Sequence, residues 1–205
     1  MNQLGKFITL EGVDGAGKTT HVEFIKKYFT NLNRDFILTR EPGGTVLGEK
    51  LRAILLHEEM TPNTETILMF AARNEHIDQI IRPGLIKGSI VISDRFTDAT
   101  YAYQSGGKGV SDEKIDTLKG LVQENLQPDL TFLFDLPVEV SIKRLNKTRE
   151  LDKFERERKE FHENIRKKYL NLAKLYPERI FVLNSENSIE EVQNQIKIRL
   201  DELLK

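Results

Sequence analysis

The sequence predicts a three-layer α/β fold in which a parallel sheet of five strands lies between layers of helices. Three observations carry this. Five short apolar runs, Phe7–Leu10, Phe36–Thr39, Ser89–Ser93, Leu130–Phe134 and Ile180–Leu183, lack polar alternation, as parallel strands covered on both faces do. Longer stretches of helical period separate them, and strand–helix alternation throughout a chain is the mark of this class. A glycine-rich string follows the first run directly.

That string is Gly12-Val13-Asp14-Gly15-Ala16-Gly17-Lys18-Thr19, a complete G-x-x-x-x-G-K-[ST] phosphate loop placed where a buried strand ends and a helix begins. Backbone N–H groups of such a turn wrap phosphate oxygens, and the helix N-terminus adds partial positive charge. Lys18 can reach the β- and γ-phosphates and Thr19 can hold Mg²⁺, so the string predicts a bound nucleoside triphosphate. In the helix that follows, Val22, Ile25, Phe29 and Leu32 recur at i, i+3, i+7 and i+10. The second strand run leads into Thr39-Arg40-Glu41-Pro42-Gly43-Gly44-Thr45, and the third into Asp94-Arg95-Phe96-Thr97. Ile115, Leu118, Val122 and Leu126 form another helical stripe, with Pro128 just beyond it.

Residues 143–168 are the most densely charged part of the chain. Phe161, Ile165, Tyr169, Leu172 and Tyr176 predict a helix in its second half, and residues 156–168 predict a solvated face laced with i,i+4 pairs. Residues 146–155 lack an apolar period and concentrate Lys147, Arg149 and Lys153, which predicts a basic lid over the phosphates. The last helix carries Ile189, Val192, Ile196, Leu200 and Leu203, with Ser188 as its N-cap.

Composition narrows the class. A chain of 205 residues, 39% hydrophobic and 31% charged, suits a single domain spanning 1–205 with a sizeable core. A net charge of −1 gives no support for binding a nucleic-acid polymer or a membrane surface. The absence of cysteine excludes disulfides, thiolate metal sites and cysteine nucleophiles. No room for a signal peptide precedes the first strand, and no apolar run approaches the roughly 20 residues of a membrane span. A cytoplasmic enzyme is the expectation. His21, His57, His76 and His162 show no metal-ligand spacing and are expected to be packed or solvated.

Among phosphate-loop proteins, a regulatory GTPase needs Asn-Lys-x-Asp and Asp-x-x-Gly. The nearest strings here, Asn146-Lys147-Thr148-Arg149 and Asp94-Arg95-Phe96-Thr97, fail both. A small kinase acting on a small anionic acceptor remains. Arginine binds phosphate in a bidentate fork. Arg40 and Arg95 follow strand ends, where ligands of open α/β sheets bind, and Arg52 lies in a following helix.

The chain resembles bacterial thymidylate kinases, of the nucleoside-monophosphate kinase group, over essentially its whole length. The resemblance rests on Glu11–Thr20, Thr39–Thr45, Leu68-Met69-Phe70-Ala71-Ala72-Arg73, Asp94-Arg95-Phe96, Ala102-Tyr103-Gln104 and Gln127-Pro128-Asp129-Leu130, in this order. It implies the P-loop NTPase fold with strand order 2-3-1-4-5, and phosphoryl transfer from ATP to dTMP with Mg²⁺. Thr20 joins the loop residues at ATP. Asp14 is expected to accept the sugar 3′-hydroxyl, Phe70 to stack on thymine, Arg73 to donate to O4 and Gln104 to bond the pyrimidine edge. Arg40, Arg52 and Arg95 are expected at the dTMP phosphate, Tyr103 against the deoxyribose, and Asp94 beside Mg²⁺ with Thr19. A loop with no arginine between Asp14 and Gly17 resembles the type whose lid supplies it, here Arg149, with Lys153 and Arg144 behind. Lys18, Asp14, Arg95, Arg149 and Lys153 are thus the expected catalytic set. The resemblance also implies a homodimer and a cis Glu41-Pro42 bond. Departures are Lys153 where Arg is common, Ala99 where Ser is frequent, and Lys108 in place of a frequent Arg. The rival readings are a kinase of another acceptor, such as dUMP or a deoxynucleoside, and a nucleotide-gated binding module; intact Lys18, Thr19, Arg95 and Arg149 argue against the second.

Overall fold

A computed structural model describes residues 5–145, 154 and 158–205. Five strands, β1 (Phe7–Glu11), β2 (Phe36–Arg40), β3 (Ile90–Asp94), β4 (Leu130–Asp135) and β5 (Ile180–Asn184), form one sheet in the order β2-β3-β1-β4-β5. Every neighbouring pair is parallel, with Leu10 opposite both Asp94 and Phe132, and Arg40 opposite Asp94. This is the expected order. Coverage on both faces holds for the central strands, whose apolar residues are fully buried. The two edge strands differ: Leu38 is 40% and Val182 39% exposed, because a strand with one neighbour has less of its surface under helices.

All five strands run one residue past their apolar runs at the carboxyl end. Each finishes on a polar residue: Glu11, Arg40, Asp94, Asp135 and Asn184. These ends form the rim on which the site is built.

Helix α1 (Lys18–Asn31) buries Ile25 and Phe29 of the expected stripe, while Leu32 lies past its end and is exposed. Helix α2 (Val46–His57) is capped by the Thr45 side chain, and α3 (Pro62–His76) by Thr61 with Pro62 in its first turn. A π-helical turn, Ile77–Ile81, joins α3 to α4 (Arg82–Ile86). A second, Tyr101–Gly107, continues α5 (Thr97–Thr100) and turns Tyr103 and Gln104 inward. Helices α6 (Asp112–Gln123), α7 (Val138–Leu145), α8 (Lys159–Leu175) and α9 (Ile189–Leu203) complete the described chain. Helix α9 begins with a reciprocal box in which Ser188 and Glu191 satisfy each other's backbone N–H.

Helix α8 buries Phe161, Ile165, Tyr169 and Leu172 as its period requires, and leaves Tyr176 exposed at its end. Its charged face is only partly the expected ladder. Lys159 pairs with Glu163 at 3.4 Å, but Arg166 forks onto Asp135 of β4 at 2.7 and 2.9 Å, and Lys168 reaches Asp112 of α6. These cations tie α8 across the sheet. Among the described residues, no helix is long and apolar enough to cross a membrane.

Candidate active site

Gly12 leaves β1 at φ 137°, and a Cβ there would stand 2.4 Å from the Phe134 carbonyl oxygen of β4. Only glycine fits. Gly15 (φ 78°) and Gly17 (φ 90°) complete the turn, and Gly17 caps α1. Lys18 is thereby buried at the first position of α1. Its ammonium donates to the Gly12 and Val13 carbonyls at 3.0 and 3.1 Å and lies 4.0 Å from Asp14. Burial and then Arg95 pull this ammonium below its ordinary range, against the carboxylates of Asp14, Asp94 and Glu11. Ser141 of α7 donates to the Asp14 carbonyl and anchors the loop from outside. The loop opens on a cleft of about 500 Å³ along the carboxyl rim of the sheet.

Arg95 is the hub of the cleft floor. Its φ of 72° places a non-glycine residue in the left-handed region, which costs about 1–3 kcal/mol and persists only where neighbours over-determine it. Here its N–H donates to Leu10 O at 3.0 Å, and its carbonyl accepts from Ser93 Oγ at 2.7 Å. The guanidinium then reaches Asp14 (2.5 Å), the Tyr103 hydroxyl (2.9 Å), the Gly12 carbonyl (3.0 Å) and the Tyr169 hydroxyl (3.2 Å). Tyr103 also donates to Asp14 at 2.8 Å. Burial alone would raise the Asp14 carboxyl; the Arg95 and Lys18 cations and the Tyr103 hydroxyl outweigh it and hold Asp14 well below the usual carboxylate range. Behind this layer, Tyr169 donates to the fully buried Glu11 at 2.8 Å, and the Phe96 N–H donates to its other oxygen at 2.7 Å. Burial, with the Asp98 charge adding to it, pushes Glu11 up to about 8 against Arg95 and these two donors.

The far end of the cleft belongs to α3. Arg73 Nε donates to Glu41 at 2.8 Å and Nη2 to Thr100 at 3.0 Å, while the guanidinium lies 4.7 Å over the Phe70 ring. Nη1 is buried and has no hydrogen-bond partner among the described residues. Glu41 follows β2, where its bond to Pro42 is cis as expected, and its second oxygen meets His76 Nδ1 at 2.8 Å. His76 Nε2 meets Thr39 at 2.7 Å. Gln104 lines the same cleft; its amide nitrogen donates to Glu65 at 3.0 Å, and Lys108 bonds the other Glu65 oxygen at 2.7 Å.

The fold therefore brings most of the expected residues to one cleft. Asp14, Gly15, Gly17, Lys18, Thr19, Arg40, Arg52, Arg73, Asp94, Arg95, Tyr103 and Gln104 all line it. Arg40 is half-exposed and forked onto Glu49 at 2.8 and 3.3 Å, and Arg52 donates to the Pro42 carbonyl at 2.9 Å. Four loop residues stand elsewhere: Gly12 and Val13 offer carbonyls to Lys18, Ala16 is buried, and Thr20 is exposed. Phe70 is 1% exposed and supports Arg73 from beneath, while Met69 lines the cleft next to it. Arg149 and Lys153 lie outside the described residues. Arg144 of α7 lines the cleft and donates to the Ser185 carbonyl at 3.2 Å. Glu11, Glu41, Glu65, His76 and Ser141 were not legible as site residues. Among them only Glu11 carries a sequence signal, a carboxylate set directly after the apolar run Phe7–Leu10.

A family model described as thymidylate kinase matches residues 10–196. The chain belongs to the thymidylate kinase family. The thymidylate kinase of Methylobacillus flagellatus is 52% identical over 192 residues, covering 94% of this chain and 95% of that one. That of Thiobacillus denitrificans is 50% identical over 203 residues, covering 99% and 100%. The crystal structure of the Ehrlichia chaffeensis thymidylate kinase superposes with a TM-score of 0.78 at 33% identity, covering 96% of this chain and 98% of that one.

Proposed function

We propose that this enzyme phosphorylates dTMP to dTDP, taking the phosphoryl group from ATP with Mg²⁺. The observation that carries the acceptor assignment is Arg73 Nη1, a buried donor without a protein partner on a side chain that lines the cleft. An orphaned donor of this kind calls for an acceptor on the ligand, and the O4 carbonyl of thymine supplies one. Glu41 and Thr100 hold the other guanidinium nitrogens, so the fork is oriented in advance.

Across the cleft, the loop amides and Lys18 address the donor phosphates, with Arg40, Arg52 and Arg95 at the acceptor phosphate. Asp14, ionised and bridged to Tyr103, accepts the sugar 3′-hydroxyl, and the Tyr103 ring closes on the deoxyribose. Asp94 Oδ1 is buried without a partner among the described residues, and Thr19 adds a hydroxyl to the same wall. These hard oxygens fit Mg²⁺, which takes one or two protein ligands alongside phosphates, so the lack of a three-residue ligand cluster among the described residues is no obstacle. Thr19 and Asp94 would hold Mg²⁺, which would supply charge neutralisation at the phosphates. Arg149, with Lys153 and Arg144 behind it, meets the charge of the transferring group. The same reading makes the enzyme a cytoplasmic homodimer, supported by exposed Leu47 and Ile54 on α2, Ile67 on α3 and Leu121 on α6, three helices in side-by-side contact.

The test is base choice. Cytosine presents an amino donor where thymine presents O4, and donor facing donor leaves both unpaired at a cost of about 1–3 kcal/mol. The kcat/KM for dCMP is expected to be lower than for dTMP by about tenfold or more. Equal values would remove the assignment of Arg73.

A further inference from the structure

Gln104 is another polar side chain at this end of the cleft, and it is almost fully buried. A carboxamide can present either its oxygen or its nitrogen to a ligand, and only its surroundings decide which. Glu65 is 0% exposed and lies in the first turn of α3, eight residues before Arg73, on a stripe with Met69 between them. One Glu65 oxygen accepts from Gln104 Nε2 at 3.0 Å; the other is ion-paired to Lys108 Nζ at 2.7 Å. Lys108 is itself held over the Phe154 ring, 4.7 Å from its centroid. A carboxylate only accepts. Gln104 must therefore turn its nitrogen toward Glu65, and its carbonyl oxygen is the end left to the cleft.

We propose that Glu65, fixed by Lys108, is a positioning residue that sets the hydrogen-bonding sense of Gln104 and so selects a pyrimidine with a proton on N3. A thymine or uracil ring offers acceptor O4 beside donor N3–H. That pattern matches donor Arg73 Nη1 and acceptor Gln104 Oε1, whose side chains both line the cleft. Cytosine, with an amino group at C4 and a bare N3, mismatches both. The inference rests on the base reading above and adds to it the residues that polarise the amide.

Glu65→Gln reverses the sense. The new carboxamide has one oxygen for two donors, Lys108 and Gln104. The full charge of Lys108 takes that oxygen, so Gln104 swings its own oxygen to the new NH₂ group and its nitrogen to the cleft. The measurement is the ratio of kcat/KM for dTMP to that for dCMP, taken on one preparation so that the folded fraction cancels. Glu65→Gln is expected to lower this ratio by about threefold or more, with Glu65→Met, which removes the acceptor that holds the Gln104 nitrogen, doing the same and Lys108→Arg keeping the wild-type value. If Glu65→Gln yields no folded enzyme, Glu65→Met decides. A ratio within about threefold of wild type in the deciding variant, while Gln104→Leu lowers it, overturns the role of Glu65 and leaves the base reading standing. A wild-type ratio near one, or no effect of Gln104→Leu, overturns the base reading and this inference with it.

Discussion

Lys18 and Arg95 both approach Asp14 Oδ1, at 4.0 and 2.5 Å, and on the proposed reading the two cations divide the cleft between donor and acceptor. Lys18 belongs to the donor side, since its ammonium sits among the loop carbonyls. Lys18→Ala is therefore expected to abolish turnover while calorimetry finds dTMP affinity largely intact; an affinity loss as large as the rate loss would contradict that division. Glu11 gives a prediction of another kind. Its ordinary value is 4.5 and burial raises it to about 8, so between these limits the folded protein holds a proton that the unfolded chain has released. Stability contributed at this position falls as pH rises through that window, because there the folded state binds more protons. Glu11→Gln, of the same shape and never charged, is expected to gain stability relative to wild type as pH rises from about 5 to 8, read as the difference between two denaturant midpoints at each pH. A constant difference would show that Glu11 is ionised throughout. Phe70 shows where residue-level reading stops. The resemblance implies a ring that stacks on thymine while a lone phenylalanine is more often core, and the packing buries this one against the Arg73 guanidinium.

Elements were more legible than their ends. The apolar runs located all five strands, but each stopped one residue early, since a polar residue breaks the run that periodicity detects while backbone pairing carries on to it. Glu11, Arg40 and Asp94 stand one place beyond the apolar runs for this reason; Arg40 and Asp94 line the cleft and Glu11 lies behind it. The Thr39–His76–Glu41–Arg73 chain was illegible for a different reason. It joins β2 to α3 across more than thirty positions, and no local period encodes such a pairing. The π-helical turn at Tyr101–Gly107 escaped because one extra residue per turn leaves no compositional trace. Helix α7 carries the remaining question of this scale. Arg144 brings its guanidinium from α7 into the cleft, and Arg149 and Lys153 follow outside the described residues. A cation that meets charge only in the transition state lowers kcat when removed and spares ground-state affinity. Arg149→Ala is expected to reduce kcat by about 10² or more with little change in dTMP affinity, and Lys153→Ala and Arg144→Ala to cost less. A crippling Arg144→Ala beside a silent Arg149→Ala would move the role onto α7 itself.

At the scale of the molecule, α2, α3 and α6 lie side by side and expose Leu47, Ile54, Ile67 and Leu121. Scattered apolar side chains are ordinary on a surface, but adjoining helices that share them suit a second copy of the chain. Sedimentation is expected to show a dimer, with Ile67→Asp shifting it toward monomer; a wild-type monomer at micromolar concentration would end this reading. The polar carboxyl rim has a consequence for handling the enzyme as a material. The cleft lies where strands end, and the turn Asn33–Asp35 at the start of β2 is exposed and carries no member of it. New termini, a dye or a tether to a solid support belong on that opposite side, where the sheet itself stands between the attachment and the reaction.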